Sequence, residues 1–305
     1  MAYSLAPLDH RFISITGPDA IKFLQGQCSC DLLALDENRF SFGTLNTPKG
    51  RMYSLFKVIK TDQGLLLSLE QSLLESTLEK LRKYAVFFKC ELMESTEYQA
   101  FGLIGLTPGT PVFSVSAEQG NYLLALSSSQ HLHEVWLGKS KSAQDLPALF
   151  PAILKEPCLI EEAHVEPWYA LETLCGIPAL YAQTQDEFIL QTLNLQQLGA
   201  VSFKKGCYTG QEIIARMKFL GKLKKKSYLL RSEHSCTAEA NSTVLDEQGK
   251  KCGTLVRSHN SVATGSVALA ILNIEEADNL TQVYLEGQTH IPFSISEPDY
   301  HEFAV

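Results

Sequence analysis

The run Lys204-Lys205-Gly206-Cys207-Tyr208-Thr209-Gly210-Gln211-Glu212 gathers the residue types in this chain best suited to chemistry. Two lysines lead into a cysteine, and a helical pattern follows, with Ile213, Ile214, Met217 and Leu220 on one face. Thr209 and Glu212 have the three-residue offset of a capping box, so a helix is expected to open at Gly210. Cys207 then lies just before a helix N-terminus, whose partial positive charge favours a thiolate. Lys204 and Lys205 act in the same direction. Gly206 and Gly210 permit backbone turns that other residues resist and let a ligand come close. The expectation is an activated thiol in an electropositive, anion-binding turn. The alternative is a cysteine packed in a loop.

Other candidates are weaker. Cys28-Ser29-Cys30 is spaced too tightly for a usual zinc pair, and no second pair matches it, so no metal site is expected. The eight histidines form no zincin motif and no cluster with cysteine. His131 and His133 alternate on one strand face, read here as solvent-exposed. Neither a phosphate-binding P-loop, nor a dinucleotide fingerprint, nor a Gly-x-Ser-x-Gly elbow is present, which disfavours enzymes of those classes.

Charge is distributed unevenly. The formal net charge is −8, which argues against a general nucleic-acid coat. Yet Lys204 to Lys226 holds eight Lys or Arg and one acid, Glu212. A basic patch on an acidic protein suits a specific anion better than polyanions at large; the alternative is a solvated basic helix end. The eight cysteines are scattered, and Met1 to Asp9 lacks a basic stretch leading into an apolar core. These features predict a cytoplasmic protein with free thiols. The longest apolar runs, such as Leu103 to Leu106, are far too short to span a membrane.

These 305 residues must supply elements to hold the turn. Strands are expected at Phe12–Thr16, Arg39–Leu45, Met52–Ile59, Gly64–Leu69 and Phe87–Leu92. Helices are expected after Gly17-Pro18-Asp19 and over Ser72–Tyr84, where Leu73, Leu74, Leu78 and Leu81 have helical spacing. That rhythm predicts an α+β unit with helices on one face of an antiparallel sheet. The middle shows extended pieces at Ala100–Leu106, Val112–Val115 and Tyr122–Leu126, then a helix at Ala143–Phe150. A short helix follows Pro167 and stops at Gly176. Beyond Lys224, runs at Ser227–Arg231, Thr243–Leu245, Gly253–Arg257, Gly265–Leu272, Gln282–Leu285 and Ile291–Ile295 predict a small β-barrel or sandwich. The expected division is residues 1–220 and 221–305.

At Lys205 to Glu212 the sequence resembles the YgfZ folate-binding family, whose signature is Lys-Gly-Cys-Tyr-x-Gly-Gln-Glu. Thr192 to Phe203 and Ala215 to Lys222 look like the family's approach to and exit from that motif. Gly17 to Ala20, Phe23 to Gln27 and Gly50-Arg51 look like its opening and first hairpin. The likeness spans the chain, although about Phe101 to Ala163 matches in rhythm alone. Leu190 departs from it, since members often carry Pro before the residue at Gln191.

The resemblance implies a fold similar to the T-protein of glycine cleavage, a tetrahydrofolate-dependent aminomethyltransferase. That fold is two interlocked ferredoxin-like α+β units around a central folate hole, plus a C-terminal β-barrel. It also implies a monomeric accessory factor for iron–sulfur cluster synthesis or repair, with tRNA-methylthiolating enzymes among its clients. The partners would be folate and iron–sulfur enzymes or cluster-assembly proteins, with no direct nucleic-acid contact. Cys207 and Lys205 would be the reactive pair. Glu172, Lys204, Gly206, Tyr208 and Gln211 would hold tetrahydrofolate or a derivative. Glu172 falls where the T-protein has a folate-contacting glutamate; the alternative is a surface helix residue. The T-protein's carboxylate pair aligns with Tyr53 and Ser54, neither of which can act as a base. That sets the accessory role ahead of its enzymatic alternative, a folate-dependent one-carbon transferase.

Overall fold

A computed structural model describes residues 2–105, 110–154, 157–261 and 265–303. The chain begins with β1 (Ala2–Pro7), β2 (His10–Thr16), α1 (Ala20–Gln25), β3 (Ser41–Asn46), β4 (Met52–Thr61), β5 (Gly64–Glu70), α2 (Leu74–Ala85) and β6 (Glu91–Ser95). Five of these strands form a sheet in the order β3-β4-β5-β2-β6, antiparallel throughout. Alternation in β2 buries Ile13 and Ile15, which pair across the sheet with Leu67 and Leu65. The apolar stripe of α2, Leu74, Leu78 and Leu81, is buried where the helix packs on β2 and β6. Pro18 stands before the first helical residue, Ala20, rather than within the first turn. Phe87–Lys89 does not join the sheet, and β6 starts only at Glu91.

The middle of the chain adds β7 (Tyr98–Ile104), β8 (Val115–Glu118), β9 (Asn121–Ser127), β10 (Leu132–Gly138), α3 (Leu146–Leu149), β11 (Leu159–Glu162) and α4 (Glu166–Leu174). The second sheet runs β11-β1-β7-β10-β9-β8. Its second member is the N-terminal strand, which pairs parallel with β11 and antiparallel with β7. One end of the chain thus completes a sheet built from its middle, and this exchange interlocks the two units. Leu106, the end of one expected extended run, lies outside the described residues. The sequence pattern does not announce β1, β10 or β11. On β10, His133 is 2% exposed, so the expectation of a solvent-facing histidine there is overturned. The neighbouring strands β7 and β9 cover the backbone edges of β10 on both sides.

The last part carries α5 (Gln211–Phe219), β12 (Lys225–Ser232), β13 (Thr243–Leu245), β14 (Lys251–Ser261), β15 (Gly265–Asn273), α6 (Ile274–Ala277), β16 (Gln282–Leu285) and β17 (Phe293–Ser296). These strands close a barrel in the order β12-β15-β14-β13-β16-β17, with β17 returning to β12. Closure leaves no open sheet edge. Leu230, Val244, Leu255 and Phe293 fill the interior. Helix α4 packs against β14 and β15 and also against β7 and β10, which ties the barrel to the second sheet. Among the described residues no helix is long and apolar enough to cross a membrane.

Candidate functional site

The motif turn is built by Lys205. Its ammonium is buried and donates to the carbonyl oxygens of Gln25 (2.7 Å), Cys28 (2.9 Å) and Cys30 (2.6 Å). Three acceptors are the full capacity of an ammonium. The Tyr208 ring lies 5.1 Å from the same nitrogen, and Tyr208 is itself buried. Burial pushes its phenol up to about 12, with Cys28 and Cys30 adding to the rise. Between these two anchors, Gly206 and Cys207 are exposed. All eight cysteines are free and described, and Cys207 is the exposed one.

Helix α5 begins one residue beyond the expected start. Its cap is Gly210 in the left-handed region (φ +84), with no side-chain cap bond, so the Thr209–Glu212 box does not form. A residue without Cβ is needed there because the first hairpin presses on it. A Cβ on Gly210 would stand 2.6 Å from the Thr47 carbonyl oxygen and 3.2 Å from Gly50 Cα. The next residue, Gln211, is half-buried and donates its backbone N–H to the Tyr208 carbonyl at 3.1 Å. Lys204 is exposed and lines a separate cleft beside Phe40, Phe113 and Phe203.

Glu172 lies elsewhere. A cavity of about 190 Å³ opens where β4, β5, α4 and the barrel meet. Glu172, Lys57, Arg257, His10 and Tyr169 are among its lining residues. Glu172 is 4% exposed, so the surface-residue alternative falls. One of its oxygens accepts from Arg257 Nη1 at 2.7 Å, and the other lies 3.5 Å from Lys57 Nζ. Lys57 also pairs with Glu134 at 2.7 Å, and Glu134 accepts from Trp136 Nε1 at 2.7 Å. Two cations and two carboxylates therefore balance one another away from water. Burial works against the Lys57 charge, but Glu134 and Glu172 outweigh it and hold the ammonium above the ordinary lysine value. Burial also works against the Glu134 charge, but Lys57 and His10 hold its carboxyl well below the usual carboxylate range.

No residue from Lys204 to Gln211 lines this cavity. The expected site residues thus fall in two places: Glu172 in the cavity, and the motif on a turn anchored to the Gln25–Cys30 loop. Lys205 and Tyr208 are both buried, with Lys205 bonded to that loop. Tyr53 and Ser54 do not line the cavity either. Ser54 accepts a hydrogen bond from Thr77 of α2 at 3.0 Å, and Tyr53 lies beneath the Lys80 ammonium at 4.1 Å. Sequence reasoning missed Lys57, Glu134 and Arg257. The signal for Lys57 and Arg257 is a lone charge inside an apolar strand run, as in Phe56-Lys57-Val58 and Val256-Arg257.

No family model matches the chain. A tRNA-modifying protein YgfZ from Aliivibrio fischeri strain ES114 is 30% identical over 301 residues, covering 95% of this chain and 92% of the relative. The chain belongs to the YgfZ family. The YgfZ protein of Aliivibrio fischeri strain MJ11 matches with the same identity and coverage. Among solved structures, the glycine cleavage system aminomethyltransferase T from Bartonella henselae superposes with a TM-score of 0.77 at 15% identity. That match covers 98% of this chain and 86% of the other. This YgfZ-family chain therefore has the aminomethyltransferase T-like fold.

Proposed function

We propose that this chain is a monomeric, cytoplasmic, tetrahydrofolate-binding accessory protein that supports iron–sulfur cluster synthesis or repair, including in enzymes that methylthiolate tRNA. The observation that carries the folate part is Glu172, a buried carboxylate fixed by Arg257 and Lys57 on the wall of a cavity. A carboxylate so held accepts from the donor edge of a pterin through its remaining lone pairs. Arg257 adds a buried Nε hydrogen, unpartnered among the described residues, for a ring acceptor. Phe42, Phe56, Tyr169 and Tyr181 supply apolar walls. A cavity of about 150 Å³ takes one benzene-sized ring, so the roughly 190 Å³ here has room for the leading ring of a pterin, with the remainder of a folate running outward. The residues present fit the group. Tetrahydrofolate, when bound, brings ring nitrogens able to carry a one-carbon unit.

Transfer of that unit is disfavoured. Tyr53 and Ser54 supply no carboxylate, and both are engaged under α2. The exposure of Cys207, off the cavity, supports its reading as a sulfur or cluster ligand toward a client protein. Lys205 serves by holding that turn.

Titration calorimetry with tetrahydrofolate tests the folate part. Heat is expected with the natural chain, and Glu172→Gln is expected to weaken binding by about tenfold or more. No heat at near-millimolar ligand would end the folate reading. Incubation with an aminomethyl-lipoyl carrier and tetrahydrofolate is expected to release no ammonia above background. Affinity capture with Cys207→Ser is expected to lose iron–sulfur enzymes that the natural chain retains; equal recovery would end the client role of that cysteine.

A further inference from the structure

We propose that Cys28 and Cys30 form a redox-modification site, a dithiol that a peroxide closes to an intramolecular disulfide at the anchor of the motif turn. The two side chains stand two residues apart, with their sulfurs 3.6 Å from one another. A bonded pair sits at about 2.05 Å, so closure brings the sulfurs together by roughly 1.5 Å. The backbone between them is pinned. Ser29 donates its N–H to the Thr44 carbonyl (3.0 Å), its own carbonyl accepts from the Ser202 N–H (3.0 Å), and its hydroxyl donates to the Ala200 carbonyl (2.5 Å). Approach of the sulfurs therefore falls to side-chain rotation.

The surroundings differ from those of a packed thiol. The Lys205 ammonium is held on the carbonyls of both cysteines. The Tyr208 hydroxyl, in the same cluster, is buried and has no hydrogen-bond partner among the described residues. Burial works to raise the Cys28 thiol, but the hydrogen bond from Cys30, the Lys205 charge and backbone donors outweigh it and leave Cys28 below the ordinary cysteine value. Cys30 moves the other way, well above that value, through its bond to Cys28 and its burial. Of the two sulfurs, Cys28 is thus the more acidic and the one that attacks. Cys175, also buried, is by contrast pushed up to about 12, chiefly by that burial.

The chemistry balances with a peroxide as oxidant. The Cys28 thiolate attacks one oxygen, the O–O bond breaks, and the departing hydroxide takes a proton to leave as water. Cys28 is then a sulfenic acid. The Cys30 sulfur attacks the Cys28 sulfur, the S–O bond breaks, and the oxygen leaves as a second water with the Cys30 proton. Two thiols lose two electrons and two protons, and the peroxide is reduced to water. A dithiol reductant reverses the closure. Both cysteines are essentially without solvent contact, which restricts the oxidant to a small molecule.

Trypsin releases Phe23 to Arg39 as one fragment holding these two cysteines and no others. The folded chain is treated with hydrogen peroxide, denatured, alkylated and digested. The expected result is loss of both alkylatable thiols from that fragment, a mass lower by two hydrogens than the unalkylated peptide, and recovery of both thiols after dithiothreitol. Cys207→Ser is expected to behave the same way, and Cys30→Val to leave no disulfide in the fragment. Two alkylatable thiols persisting at a peroxide dose that fully oxidises Cys207 would overturn the proposal. So would a disulfide linking either cysteine to Cys207 in place of the internal one.

Discussion

At the scale of the residue, the motif divides by which way each side chain faces. The spacing predicts that Lys205 lends its charge to Cys207 and an anion, but its three hydrogens go to the carbonyls of Gln25, Cys28 and Cys30. Those acceptors are backbone atoms about 180 positions upstream, which residue spacing around the motif cannot reveal. Hydrogen bonds to charged groups contribute about 1.5–3 kcal/mol each, but the burial cost of the ammonium is removed with them, so Lys205→Met is expected to lower stability by roughly 2–4 kcal/mol in urea unfolding. A change within the scatter of exposed-site substitutions would show that the carbonyls find water instead. Cys207, by contrast, is legible as a presented thiol. It is exposed, whereas burial raises the thiols of both Cys90 and Cys236. Iodoacetamide at neutral pH is expected to label Cys207 first, read by peptide mass spectrometry. Equal labelling of Cys90 or Cys236 would contradict this.

At the scale of the element, the hairpin turn Asn46–Gly50 and helix α5 hold one another through two glycines. Gly210 is pressed on Thr47, and a Cβ on Gly50 (φ +72) would stand 2.9 Å from Ile213 Cβ. Gly210→Ala combines that clash with a left-handed backbone and is expected to cost roughly 1–3 kcal/mol. Gly206→Ala, whose Cβ would meet nothing within 4 Å, is expected to stay within about 0.5 kcal/mol of the natural chain. Urea midpoints of the two variants separate these cases, and equal midpoints would refute the contact. Strands β2 and β16, which alternate apolar and polar residues, and the other barrel strands, apolar runs set between polar turns, are legible in the sequence. Strand β10 is not, because six of its seven residues are buried, His133 and Glu134 included. A strand covered on both faces loses the alternating pattern, and charges inside it read as a loop. β1 and β11 pair across half the chain, and no local pattern announces a partner at that distance.

At the scale of the whole molecule, the centre is a set of charges drawn from four distant stretches: Lys57, Glu134, Glu172 and Arg257. Each is visible in the sequence, but their meeting is not, because it depends on how two sheets and a barrel dock. Around this centre, titration gives the fold a direction in pH. Burial holds His133 down at about 4. Burial, aided by Arg257, does the same for His259, also at about 4. An unfolded histidine titrates near 6.5, so the unfolded chain binds more protons than the folded one over the interval between. The contribution of each histidine is complete above about pH 6.5 and is lost as pH falls toward 4. Glu134, held low by Lys57 and His10, adds a loss in the same direction, beginning below the unfolded glutamate value of about 4.3. Stability is therefore expected to be level above neutrality and to fall by roughly 1–2 kcal/mol per histidine between about pH 7 and 5. Among the described residues His133 pairs with no other side chain, and only the His131 backbone acts on its ring, so His133→Leu removes one titration without breaking a side-chain pair. Urea unfolding across that interval is expected to show a shallower fall for His133→Leu than for the natural chain. Parallel curves for the two proteins would mean that His133 takes up its proton without unfolding the sheet around it.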